Sequence, residues 1–230
     1  SGLRRHPFDL LVDLRNSMLP FLLRSRFSTR PEGRSVRCHM KDKHLLRLRS
    51  VLQDPATPRD KYSVCLSDQD RREAGQAING MEGFVLVAPG AAHPAKRWNE
   101  EGFAGVIRHL TGTKENPVVV VGDNNDLPIA ERILRDIPGG FINLCSRTTL
   151  TRLACIVSRA KLAVTNDSGI MHLASYFNIP TLALFGPTDP FLYGPWSDAK
   201  EVIRNSGTMD SISPDEVIRA LDRMLTGSLK

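Results

Sequence analysis

The sequence predicts an α/β fold built on a parallel sheet, and two observations predict it. From Phe84 onward short apolar runs alternate with amphipathic stretches, the pattern of strand and crossover helix. The runs are also continuously apolar rather than alternating, as strands buried on both faces require. Ahead of them lies a less regular, basic segment. The organisation expected is therefore a partial α/β segment over residues 1–75 and a parallel-sheet domain over residues 76–230.

Five runs read as strands: 84–88, 117–121, 141–144, 162–165 and 181–185, in a sheet expected to hold five or six. Between them the helices carry recognisable ends. Asn99 can cap a helix running to about Leu110, with Glu100 and Glu101 near the positive end of its dipole. The stretch 126–136 carries Pro128 in its first turn, where a helix tolerates it. Leu150, Leu153, Ala154, Val157 and Ala160 fall on one helical face and are expected to pack inward. A short helix over 169–177 follows a strand directly. Ser213 and Pro214 open a last helix whose buried stripe is Val217, Ala220, Leu221 and Met224. In the opening segment, 8–14 reads as a parallel strand, followed by a helix interrupted at Pro20, and 41–52 as a basic amphipathic helix. Two strands cannot make a stable domain alone.

Composition narrows the function. The chain has 230 residues and 41% apolar content, enough for a packed core. No apolar run approaches the roughly 20 residues that cross a bilayer, and no apolar leader opens the sequence, so a cytoplasmic location is expected. Cys38, Cys65, Cys145 and Cys155 show neither a Cys-x-x-Cys pair nor zinc-site spacing, and buried free thiols are expected. Residues 1–75 hold 16 Lys and Arg against 9 Asp and Glu, whereas the remainder is balanced at 15 against 16. That asymmetry suits an anionic acceptor or a membrane surface facing the first segment; a merely solvated basic surface explains it equally. Nucleic acid is disfavoured, because aromatic residues are only 6% and the segment has no stacking cluster.

Four signals fall at the carboxyl ends of expected strands, where open α/β sheets bind ligands. The first is Val164-Thr-Asn-Asp-Ser-Gly-Ile-Met-His172, a strand that ends in a polar turn and enters a helix. The helix start offers N–H groups to a phosphate at Ser168 and Gly169, and His172 stands one turn along. Alternatively Asp167 and Ser168 only cap the helix, and His172 is a core histidine. The second is the loop of Pro89 and Gly90 that leads to Lys96, Arg97 and Trp98, with Lys96 as a point charge for a diphosphate or as a solvated lysine. Trp98 is expected to anchor that loop by packing. The third, Gly122 to Asp126, places an acid either for ribose hydroxyls or for helix capping. The fourth, Phe185-Gly-Pro-Thr-Asp-Pro190, is a rigid turn that brings Thr188 and Asp189. Joint placement points to a nucleoside diphosphate. No Gly-x-Gly-x-x-Gly fingerprint, phosphate loop or nucleophile elbow is present.

These motifs, together with Asn143-Leu-Cys-Ser-Arg-Thr-Thr-Leu150 and the ending Ile212-Ser-Pro-Asp-Glu-Val217, resemble glycosyltransferase family 9, the bacterial lipopolysaccharide heptosyltransferases. The resemblance spans about 84–225. It implies a GT-B-like fold with a complete C-terminal Rossmann-like parallel-sheet domain and a partial N-terminal α/β segment. It implies transfer of a heptose-like sugar, with inversion, from an ADP-sugar to a lipopolysaccharide core acceptor at the inner membrane face. No cofactor or metal is implied, since the ADP-sugar is a substrate. Carried over by motif, Lys96 would hold the donor phosphates and stabilise the leaving group, while Asp167, Ser168, Gly169 and His172 would surround diphosphate and sugar. Asp126 resembles the ribose-contacting acid, with Thr188 and Asp189 lining the same cleft. Ser168 replaces the usual Thr, and Ile170 the usual Pro. The family's opening strand leads into a Gly-Asp turn whose Asp resembles a general base; no such turn precedes Phe8, so the start of that domain is expected to be missing. Two rival readings are another nucleotide-sugar enzyme, such as an epimerase, and a non-catalytic or truncated nucleotide-sugar-binding domain.

Overall fold

The computed structural model describes residues 8–15, 19–29, 37–49, 51, 64–113 and 116–227, which fall into two compact units, Ser1–Val64 and Cys65–Lys230.

In the first unit β1 (Phe8–Leu11) pairs in parallel with β2 (Ser25–Ser28), Leu10 lying opposite Phe27. The strand expected over 8–14 stops early because the Asp13 N–H turns to the Thr29 hydroxyl at 2.8 Å. Between the strands lies α1 (Leu19–Leu22), a single turn with Pro20 inside its first turn rather than at a break. The basic helix is α2 (Met40–Leu48), entered through His39, whose Nδ1 accepts from the Lys41 N–H; Leu52 lies outside the described residues. Its buried residue is Arg47, whose guanidinium donates to the Leu14 carbonyl, while Leu45 and Leu46 are exposed.

The second unit opens with α3 (Asp68–Ala77), started by a reciprocal capping box between Ser67 and Asp70. This helix docks on a later one through the Thr151 hydroxyl on Asp70 at 2.8 Å and an Arg152–Glu73 ion pair. It therefore belongs to the sheet unit as a whole, and the division falls at Val64 rather than inside the helix at 75/76.

The chain then runs β3 (Val85–Ala88), α4 (Glu100–Arg108), β4 (Val118–Val120), α5 (Leu127–Leu134), β5 (Phe141–Asn143), α6 (Leu150–Val157), β6 (Leu162–Asn166), α7 (Gly169–Tyr176), β7 (Thr181–Leu184), α8 (Pro190–Tyr193), β8 (Lys200–Ile203) and α9 (Pro214–Leu225). Among the described residues the sheet has six strands in the order β5-β4-β3-β6-β7-β8, all parallel. This is the doubly wound Rossmann-like order, with the direction of winding reversing between β3 and β6. Successive residues of β3 feed opposite layers. Val85 and Val87 pack with Phe103, Ile107, Val217 and Leu221 beneath α4 and α9, and Leu86 and Ala88 pack with Ile156, Val157 and Ile78 beneath α6 and α3. Each fully buried Val or Leu side chain contributes about 1.5–3 kcal/mol.

Asn99, Thr149 and Ser213 cap α4, α6 and α9, and the buried stripe of α9 is the four residues expected. Two expectations fail at margins. Leu150 is 76% exposed; it is the first residue of α6, ahead of the turns that pack inward. β5 is only half-buried because it forms an edge. No described helix is long and apolar enough to cross a membrane.

All four cysteines are free; Cys145 and Cys155 are buried, Cys38 is half-buried and Cys65 is exposed. Burial first, then the Asp126 and Asp123 carboxylates, pushes the Cys145 thiol up to about 12. A thiolate-selective reagent at about pH 8 is expected to label Cys65 and to reach Cys145 only after denaturation. Native-state labelling of Cys145 would contradict this burial.

Candidate functional site

The reversal point lies between the carboxyl ends of β3 and β6, and the loops leaving these two strands meet there. After β3 the chain forms a 3-10 turn over Pro94–Lys96, capped by His93, whose Nδ1 accepts from the Ala95 N–H. The turn directs Lys96 Nζ onto Asp167 Oδ2 at 2.7 Å. The Thr188 hydroxyl, from the turn after β7, donates to the same carboxylate oxygen at 2.6 Å. That turn lies against the Lys96 turn, since a Cβ on Gly186 would fall 2.9 Å from the Ala95 carbonyl oxygen. A glycine is what permits this approach.

Lys96 is thus neither solvated nor distant from α7. Its side chain is 28% exposed, whereas that of Asp167 is 6% exposed. Asp167 spends its carboxylate on Lys96 and Thr188, and Ser168, at the N-cap position, makes no side-chain cap bond. The Ser168 hydroxyl is buried and bonds to no described residue. Simple capping by this pair is accordingly not what the structure shows. The first amides of α7 carry the positive end of its dipole, roughly half an elementary charge, beside the Lys96 ammonium. Gly169 is exposed at that start, and a side chain there would meet nothing within 4 Å. His172 lies one turn further, its ring stacked on Trp196 at 5.2 Å and 18°.

Asp126 enters from the third loop. It is buried and occupies the N-cap position of α5 without making a cap bond, its Oδ2 accepting instead from the Asp123 N–H at 3.0 Å. The carboxylate seats against Gly90, where a Cβ would lie 2.1 Å from Asp126 Oδ2. Burial raises the Asp126 carboxyl above the usual carboxylate range, opposed by its hydrogen bond from Asp123 and by Arg97. A carboxyl with a raised folded pKa favours folding below its unfolded value, about 3.9, and loses that advantage as pH rises through the raised one. Asp126→Asn is therefore expected to melt no lower than the parent at neutral pH, with the difference narrowing toward about pH 4. A melting series against pH checks this, and a lower melting temperature for the variant at neutral pH contradicts it.

Lys96, Asp167 and Thr188 are brought together, with Ser168 and Gly169 next in the chain, and Asp126 lies against Gly90 of the loop that carries Lys96. Asp189 caps α8, its carboxylate accepting from the Phe191 N–H at 2.9 Å. Arg97 braces its own loop by donating to the Ala91 carbonyl at 2.8 Å. Trp98 is the packing anchor expected: 3% exposed, edge-on to Phe103, its indole N–H donating to the Ile212 carbonyl at 3.0 Å. Two residues escaped the sequence reading. Asn166 stood inside a motif whose other polar members drew the attention, and Trp196 gave no signal beyond an aromatic in a Gly-Pro-Trp turn.

The chain is similar to known proteins in sequence and in fold. The chain is 34% identical over 137 residues to lipooligosaccharide heptosyltransferase 2 of Haemophilus influenzae, a match covering 57% of this chain and 39% of that protein. Across the curated relatives it matches, the chain spans roughly 36–52% of their length. Among solved structures, a glycosyl transferase family 9 protein from Veillonella parvula superposes with a TM-score of 0.75 at 24% identity, covering 87% of this chain and 63% of the other. The E. coli ADP-heptose lipopolysaccharide heptosyltransferase II superposes with a TM-score of 0.73 at 22% identity, covering 96% and 77%. The fold class is thus the GT-B-like one that the motifs implied. The family model of glycosyltransferase family 9 (heptosyltransferase) matches residues 21–216, most of both units, and the chain belongs to that family.

Proposed function

We propose that this chain supplies the donor side of a heptosyltransferase, binding an ADP-sugar for transfer of a heptose to a lipopolysaccharide core acceptor with inversion at the anomeric carbon. The observation that carries the reading is the meeting of Lys96, Thr188 and the start of α7 around Asp167 at the β3–β6 reversal point. The ammonium and the helix start can neutralise a departing diphosphate, which lowers the barrier to displacement. Ser168 adds a hydroxyl to the same place, and His172 and Asp126 flank it for sugar and ribose. The donor is a substrate, and neither a cofactor nor a metal enters this reading. The general base for the acceptor hydroxyl is assigned to no residue of the chain.

The basic charge of residues 1–75 supports an anionic core acceptor and a peripheral position on the inner membrane face, from the cytoplasmic side. Calorimetric titration with ADP, UDP and GDP tests the donor. ADP is expected to bind most tightly; a clear preference for UDP would remove the heptosyl assignment and favour another nucleotide-sugar enzyme.

A further inference from the structure

Asn166 closes β6, and its side chain is fully buried where β3 and β6 part. The backbone ladder between the strands ends with Ala88 opposite Thr165. Beyond it Pro89 has no N–H with which to continue. The Asn166 amide takes over the pairing. Its Nδ2 donates to the Pro89 carbonyl at 2.7 Å and lies 3.4 Å from the Gly90 carbonyl, while its Oδ1 accepts from the Trp98 N–H at 3.1 Å. One planar group therefore holds both ends of the loop 89–98, and Lys96 lies within that loop. The next residue in the chain, Asp167, receives the Lys96 ammonium.

We infer that Asn166 is a positioning residue for the donor site, fixing the Lys96 loop against the start of α7 so that ammonium and helix amides stand at the separation a diphosphate needs. This rests on the reading of Lys96 as a phosphate ligand. The side chain suits the task because it offers a donor and an acceptor on one short, rigid amide. Aspartate would set a carboxylate oxygen against the Pro89 and Gly90 carbonyls, and glutamine would be one methylene too long. Asn166 itself is sealed from any ligand, so its effect must pass through the loop. Small displacements of such a loop are costly, because both phosphate contacts need correct geometry at once.

A double-mutant cycle in the full chain, read by calorimetric titration with ADP, tests the inference. Asn166→Ala is expected to weaken ADP binding about tenfold, and Lys96→Ala at least as much. The double variant is expected to bind like Lys96→Ala alone, since misplacing an absent lysine costs nothing further. Asn166→Asp should fail to restore binding. A purely architectural role would instead lower the melting temperature in both backgrounds while the two losses of affinity multiplied. Such independence, or unchanged ADP affinity in Asn166→Ala beside a weakened Lys96→Ala, would overturn the inference while leaving the diphosphate site standing. Unchanged binding in Lys96→Ala would remove both. Should Asn166→Ala not fold, Asn166→Ser, which keeps a small polar group, carries the same cycle with the same outcomes.

Discussion

Trp98→Ala is expected to lower the stability of the sheet unit by about 3–5 kcal/mol, the usual cost of emptying a buried aromatic site. Three losses combine. The indole is 3% exposed and packs edge-on to Phe103 at 5.1 Å. It also covers Gly102 so closely that a Cβ there would fall 2.4 Å from the ring, so neighbouring groups cannot simply close over the gap. The Ile212 carbonyl loses its indole donor. In a domain of this size the change corresponds to a fall in melting temperature on the order of 10 °C. A fall of less than about 3 °C would show that the ring is not the anchor described. Trp98→Phe separates the parts, keeping most of the ring packing and giving up the hydrogen bond, at about 1 kcal/mol.

The anchor explains why the sheet was legible in the sequence and the site only partly so. Strands β3, β4, β6 and β7 are continuous apolar runs because helices cover both faces, and such runs can be read without a partner in view. β8 lies at an edge, and its Lys-Glu-Val-Ile sequence alternates between exposed and covered positions, so it lacked that signature. Lys96 and Thr188 were legible as polar residues just past strand ends. That both would converge on Asp167 depends on strand order, which places β6 between β3 and β7 and is not written in any local motif. Asn166 was hidden for the same reason, since its partners lie 68 and 77 residues away. In α2 the charged Arg47 is buried and the apolar Leu45 exposed, because the Leu14 carbonyl, three residues past β1, accepts from the guanidinium.

Lys96→Ala is expected to weaken ADP binding by at least about tenfold, or 1.4 kcal/mol. The ammonium is paired with Asp167, next to the start of α7, where Ser168 makes no side-chain cap bond, so its removal takes away a full positive charge from the place proposed for the diphosphate. The variant also leaves the largely buried Asp167 carboxylate without its ammonium partner, held by the Thr188 hydroxyl, which lowers stability as well. Adenosine separates the two effects. Lacking phosphates, it should bind parent and variant alike if the fold survives, whereas a general loss of structure would weaken both ligands together. Equal ADP affinity in parent and variant would contradict the phosphate role.

A crystal structure of the chain with ADP tests the central claim most directly. The account predicts the diphosphate at the carboxyl ends of β3 and β6, with a phosphate oxygen hydrogen-bonded to Lys96 Nζ and another to the first amides of α7. ADP bound elsewhere on the sheet, or with its phosphates turned away from Lys96, would contradict it.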